Sequence, residues 1–113
     1  MDVPDRTVEI LKRLLAASQM GKVEWVEGGD AEEFMTSLKS GSIVIGMRAR
    51  GDGYYVRLQD ASGVTIETSW LDGSKSLYDS YSVLRDVHEA ARRKALRIEQ
   101  TLNALEKELD DLQ

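Results

Sequence analysis

The chain offers one histidine and no cysteine, so its stock of metal ligands and nucleophiles is small. His88 stands between Asp86 and Glu89, a set that would suit a metal ion or a general base if the three side chains converged. In a helix, residues one and two positions apart do not face each other, so convergence is not expected. We therefore expect a packed histidine, no metal, no cofactor and no enzymatic activity.

A basic cluster is the second group of residues that could do chemistry. Arg92, Arg93, Lys94 and Arg97 lie close together in the sequence, and arginines grouped on a helix suit phosphates, which makes a nucleic-acid-associated regulator one alternative. The chain as a whole carries 20 acidic against 15 basic side chains, a net charge of −5, which opposes nucleic-acid binding. We expect the cluster to form a solvated helix face or to meet carboxylates of a protein. A small ligand-binding domain or enzyme is the remaining alternative.

Tyr55 is the aromatic residue best suited to contact a partner. It falls on the polar face of a predicted strand, beside Arg57. A cross-strand pair with Arg48 or Arg50 is the alternative role for this ring.

Three strands are predicted where apolar residues alternate with a period of two, in residues 42–50, 53–60 and 64–70. Short turns containing Gly and Asp separate them, as in hairpins. A fourth strand, 22–27, carries Trp25, which we expect in the core. The faces predicted to be buried are Ile43, Ile45, Met47 and Ala49; Tyr54, Val56 and Leu58; and Val64, Ile66, Thr68 and Trp70.

Helices are predicted before, between and after these strands. The first begins near Pro4 and ends at Gly21. A short helix is predicted after the first strand, because Asp30 and Glu33 have capping-box spacing and Ala31, Phe34, Met35 and Leu38 recur at helical spacing. The fold class is therefore α+β, with a four-stranded antiparallel sheet, an N-terminal helix, this short helix, and a long C-terminal helix that is continuous or broken.

The C-terminal helix has a narrow apolar stripe. From residue 76 to the end there is no Gly or Pro, and apolar or small residues recur at alternating spacings of four and three, which is typical of a coiled coil. A straight helix of this length spans about 55 Å. Because 113 residues suffice for one core, we predict a single domain over 1–113, in which 97–113 projects or folds back.

The end of this helix is predicted to be a protein interface. Acidic residues at a helix C-terminus oppose the helix dipole, so this end needs a partner. An antiparallel homodimer centred near Thr101 and Leu102 would place the acidic end beside the basic cluster. The predicted apolar contacts are Ile98, Leu102, Leu105, Leu109 and Leu112, and the predicted charged rim is Arg92, Arg93, Arg97, Glu106 and Asp110.

The chain contains, in order, the segments GKVEWVE, GSIVIGMR, YYVRLQDASGVTIETSW and LYDSYSVLRDVHEAARRKALRIEQTLNALEKEL. Together they resemble a recurring group of small bacterial hypothetical proteins, in which a Lys-to-Trp strand accompanies a later LY…ARR.AL helix and a leucine-rich end. The resemblance covers almost the whole chain and implies no activity. It implies a helix break after Ala95-Leu96, at Arg97. Because the residues there are good helix formers, a continuous helix is the alternative.

The location of the protein is predicted from its N-terminus and its apolar runs. No apolar stretch reaches the roughly 18 residues of a spanning helix. Asp2, Asp5 and Glu9 occupy the region in which a secretory signal would be basic and then apolar. We expect a cytoplasmic protein without a membrane partner, which acts as a small regulatory or adaptor module by binding protein, most simply itself.

Overall fold

A computed structural model describes residues 3–48, 53–72 and 78–113. Ala49, Arg50, the predicted turn at Gly51-Asp52 and the predicted helix start at 76–77 lie outside these ranges. The elements are α1 (Asp5–Gln19), β1 (Val26–Glu27), β2 (Glu33–Leu38), β3 (Gly41–Met47), β4 (Gly53–Asp60), β5 (Thr65–Asp72), α2 (Tyr78–Ala95) and α3 (Ile98–Asp111).

The strands form one antiparallel sheet in chain order, β1-β2-β3-β4-β5. The predicted α+β class, the antiparallel sheet and the N-terminal helix are confirmed, but the described sheet has five strands rather than four. The predicted strand at 22–27 is reduced to Val26–Glu27.

The additional strand, β2, replaces the short helix predicted after the first strand, so that prediction is wrong. Phe34 pairs with Ile45 and Thr36 with Ile43, and all four side chains are buried on the same face. A helix would bring Phe34 and Leu38 to one face, whereas Leu38 is exposed. Pairing with β3 therefore overrides the helical spacing, which was too short to determine the structure alone.

α1 and α2 form a helical layer on one side of the sheet. α2 contacts every strand and buries Leu84, Val87 and Ala91 against them, while α1 packs against α2. Trp25 is buried as predicted, and its Nε1–H donates to the Ser18 hydroxyl at 2.9 Å. That hydroxyl donates in turn to the Leu14 carbonyl at 2.8 Å, so the polar groups of this contact are satisfied.

The face predicted to be buried on β5 is the wrong one. Ile66 is 65% exposed and Trp70 is 49% exposed, while Ser69 and Leu71 are buried. The alternation was correct but its phase was not, because pairing with β4 sets the phase: Val56 faces the helices, and its partner on β5 is Ser69. Of the predicted core positions, Trp25, Ile45 and Val56 are confirmed, and Ile66 is not in the core.

The C-terminal helix is broken at Arg97, which adopts a left-handed conformation with φ 54° and ψ 42°. An arginine rarely adopts this conformation, which marks a sharp change of direction. No residue of α3 is buried. The radius of gyration is 15.5 Å, against about 13 Å for a compact chain of this length, and the longest dimension is 54 Å.

Two isoleucines test the assignment of the core. Ile45 is fully buried in β3, and Ile10 lies on the outer side of α1. We expect Ile45→Ala to lower the free energy of unfolding by about 2–5 kcal/mol, because it leaves a cavity. Ile10→Ala should change it by less than about 1 kcal/mol. Chemical denaturation measures both, and equal losses would contradict the packing described.

Candidate protein-interaction surfaces

The five apolar residues predicted as an interface lie along α3, and we call them the leucine seam. Their spacing of four and three brings them to one side of the helix. Ile98 is half-buried, but the four leucines are between 44% and 81% exposed. Exposed apolar residues scattered singly are ordinary, whereas a continuous row on one helix is typical of a protein interface. The seam consists of Ile98, Leu102, Leu105, Leu109 and Leu112.

The charge of this helix is unevenly placed. Residues 98–113 hold five acidic side chains and one lysine, a net charge of −4, and the last turn has no basic residue. The carboxylates of Glu108, Asp110 and Asp111 lie in the last turn, at the negative end of the helix dipole, and Glu106 lies just before it. Between residues 85 and 97 five basic and two acidic side chains give +3. Within one chain, the region around the bend between α2 and α3 is thus positive, and the C-terminal end of α3 is negative.

The arginines of the basic cluster face carboxylates of their own chain. Arg92 Nε lies 3.7 Å from the Glu32 carboxylate, and Arg93 lies 4.0 Å from that of Glu89. Arg93 also donates to Glu99, on the far side of the bend. These ion pairs are exposed, so each is worth at most about 1 kcal/mol. They nevertheless show that the cluster accommodates carboxylates.

A groove of about 520 Å³ lies on the inner side of the bend. Ser18 and Gln19 at the end of α1, Ala90 and Arg93 on α2 and Gln100 on α3 line it. The charged residues around the groove are of both signs, because the carboxylates of Glu89 and Glu99 lie there together with residues of the basic cluster. The groove therefore lacks the single-sign lining that selects a small anion or cation.

His88 is packed inside the fold, as predicted. Its ring lies between Phe34 and Tyr54, with centroid distances of 5.4 and 5.2 Å, and Nε2 donates to the Glu32 carbonyl at 2.8 Å. Aromatic contacts and a satisfied ring nitrogen are the features of a structural histidine. Within the three described ranges, no three His, Asp or Glu side chains are grouped so as to hold a metal ion.

The face of the sheet away from α2, which we call the outer face, carries a polar cluster of Glu33, Tyr55 and Arg57. Glu33 is only 4% exposed. One of its carboxylate oxygens accepts from the Tyr55 hydroxyl and from Arg57 at 3.2 Å, and the other accepts from the Gly29 N–H at 3.0 Å. The carboxylate is thus fully hydrogen-bonded, which is what burial of a charge requires.

Two glycines make room for this cluster. A Cβ on Gly46 would lie 2.2 Å from Cζ of Tyr55, and one on Gly28 would lie 2.6 Å from the Glu33 carboxylate. The tyrosine ring therefore lies flat across β3, and the Arg57 guanidinium sits 5.5 Å from the ring centre. The residue paired with Tyr55 on β5 is the exposed Trp70. The Tyr55 hydroxyl is thus engaged within the chain, and its contact with a partner stays a prediction.

The sequence pattern does not predict this cluster, because the capping-box spacing from Asp30 assigns Glu33 to the first turn of a helix. A glycine inside a strand, Gly46, was the available signal, since such a residue often marks the close approach of another group. The five residues of the leucine seam lie along α3 and at its C-terminal end, and their role as an interface stays a prediction.

The cluster shifts two pKa values in opposite directions. Burial raises the pKa of Glu33, but hydrogen bonds from Tyr55, Arg57 and Gly29 outweigh it, so the pKa lies below its ordinary 4.5. Burial, followed by the neighbouring Glu33 carboxylate, raises the pKa of the Tyr55 hydroxyl to about 12.

These shifts predict how stability depends on pH. The stabilisation from ionised Glu33 is present above pH 4.5 and is lost as the pH falls through its lowered pKa. The stabilisation from the neutral Tyr55 hydroxyl is present below pH 10 and is lost as the pH rises towards about 12. In an ultraviolet absorbance titration, Tyr55→Phe should remove a component that ionises near pH 12. Loss of a component near pH 10 instead would contradict the buried hydrogen bond.

Comparison of the chain with protein-family models, with curated proteins and with solved structures finds no match. No helix within the described part of the chain is long and apolar enough to cross a membrane. The function has to be inferred from the chain's own surfaces.

Proposed function

We propose that this protein is a non-catalytic interaction module, a small regulatory or adaptor protein that associates with a second copy of itself through α3. The observation that carries the proposal is the leucine seam, a continuous apolar row on a helix with no buried residue. Four of its five members are exposed leucines.

The energetics of α3 support a partner. An isolated helix of 14 residues is marginal in water, and the acidic end weakens this one further. Complete burial of a leucine side chain is worth about 1.5–3 kcal/mol. Pairing would bury seam leucines from both copies and would convert a marginal helix into a stable one.

The charges favour an antiparallel pair. Parallel helices would bring together two C-terminal halves that each carry −3 over residues 106–113, whereas antiparallel helices place each acidic half towards the positive bend of the other copy. Arg97 of one copy and Asp110 of the other then lie at the same end of the pair. The Arg92 and Arg93 carboxylate contacts show the chemistry such a rim would use.

The break at Arg97 changes the centre of this pair. A centre at Thr101–Leu102 would need helix on both sides of Arg97, and α2 leaves the line of α3 there. A two-fold axis between Leu102 and Leu105 keeps the pairing within α3. It places Ile98 opposite Leu109 and Leu102 opposite Leu105 of the second copy.

Size-exclusion chromatography with light scattering tests the proposal. The monomer mass is 12.7 kDa, and we expect about twice that value at micromolar concentration, falling towards the monomer on dilution. A monomer at the highest soluble concentration would overturn self-association. The α3 seam would then have to serve a different protein, and the proposed function would fail as stated.

A further inference from the structure

Glu99 and Arg93 meet across the bend only because the helix is broken. The Arg93 guanidinium donates to the Glu99 carboxylate, although the two residues are six positions apart. In a continuous helix, residues six apart point in different directions, and only those three or four apart are neighbours. The left-handed Arg97 turns α3 so that its first turn faces the last turn of α2.

Glu99 also occupies a sensitive position beside the seam. It directly follows Ile98, just as Glu106 directly follows Leu105, so both carboxylates flank the seam on the same side. In an antiparallel pair about an axis between Leu102 and Leu105, Glu99 of one copy lies beside Glu106 of the other. Two-fold symmetry repeats this contact, so two pairs of carboxylates meet.

Like charges at flanking positions weaken a helix pair unless they are compensated. Glu106 has no ion-pair partner among the described residues, whereas Glu99 is matched by Arg93 of its own chain. Arg93 also lies 4.0 Å from Glu89 on the preceding turn, which holds the guanidinium at the bend. The guanidinium of Arg93 therefore lies beside Glu99, at the place that Glu106 of a second copy would approach.

We infer that Arg93 is a positioning residue for self-association, which neutralises Glu99 through the bend and so allows Glu106 of a second copy to approach. This inference rests on the proposed function, since it names the charge that controls the α3 pair. It gives the bend a role: without it Arg93 could not reach Glu99. Glu99 becomes the residue at which the strength and the orientation of the pair are set.

The test is a set of four full-length proteins: wild type, Arg93→Ala, Glu99→Gln and the double variant. Their dissociation constants are measured by sedimentation at low and high salt. Arg93→Ala should weaken association about tenfold, because two uncompensated carboxylate pairs remain. Glu99→Gln should strengthen association severalfold, and the double variant should return to wild-type affinity or better. High salt should reduce the differences.

The opposite signs separate this role from a merely structural one. If the Arg93–Glu99 contact served only to hold the bend, Glu99→Gln would weaken association as Arg93→Ala does, and the inference would be overturned. Equal affinities for all four proteins would also overturn it. If none of the four associates, the proposed function has failed instead. Circular dichroism of each variant checks that the helices are intact, and Arg85→Ala, which removes an exposed charge elsewhere on α2, serves as the control.

Discussion

Replacing Leu102 and Leu105 by aspartate should abolish association through α3 while the rest of the protein stays folded. The two leucines are 44% and 48% exposed in the single chain, so their loss opens no cavity. Because each leucine is already about half covered, pairing adds about half of the 1.5–3 kcal/mol of full burial, so loss of four leucine side chains predicts a weakening of about 100-fold or more. Burial of four aspartates would weaken the pair further. Light scattering measures the mass, and circular dichroism measures the fold.

A matched control separates the seam from the added charge. Asn103→Asp with Ala104→Asp places the same two charges on the same turn of α3, away from the seam. This control should keep the wild-type mass. If the leucine variant unfolded the sheet as well, the seam would belong to the core of the domain. If both variants dissociated, charge rather than the seam would be responsible.

Gly46→Ala should be the most damaging small substitution on the outer face. Its Cβ would lie 2.2 Å from Cζ of Tyr55, so the ring must leave its place and give up the hydrogen bond to Glu33. A hydrogen bond to a buried charged group is worth about 1.5–3 kcal/mol, and we expect a loss of about 3 kcal/mol in the free energy of unfolding. Denaturant titration measures it.

A double-mutant cycle shows whether Tyr55 is the cause. In a Tyr55→Ala background the space above residue 46 is empty, so Gly46→Ala should cost less than about 1 kcal/mol. Ser42→Ala, on the same strand, is the control for the exchange of a small residue. An equal cost of Gly46→Ala in both backgrounds would mean that the backbone of β3, and not the tyrosine ring, requires glycine.

The strands show how far the sequence alone determines this fold. Alternation placed β3, β4 and β5 correctly, and for β3 and β4 the buried face was also correct, because Ile45 and Val56 are the more apolar choice. On β5 the more apolar side, with Ile66 and Trp70, is the exposed one. The phase of an edge strand follows from its neighbour's register, which period-two patterns do not contain.

The polar cluster of the outer face depends on contacts between residues that lie far apart in the sequence. The cluster of Glu33, Tyr55 and Arg57 forms only when β2 and β4 flank β3, whereas the capping-box spacing assigns Glu33 to the first turn of a helix. The bend at Arg97 has no local glycine or proline, so residue preferences predict a continuous helix. The exposed leucine seam could be predicted, since its spacing belongs to one helix and needs no knowledge of the sheet.

The most direct test of the proposed function is the distance between spin labels on two copies of α3. The chain has no native cysteine, so Ala104→Cys and Asp111→Cys each provide a single labelling site. The two sites are two helical turns apart and both lie away from the seam. In the antiparallel pair, labels at 104 lie next to the axis, while labels at 111 are separated by about 20 Å more along the helix. Double electron–electron resonance spectroscopy should therefore give a short distance between labels at residue 104 and a long distance between labels at residue 111. Equal distances, or no coupling between copies at either site, would contradict the antiparallel α3 pair.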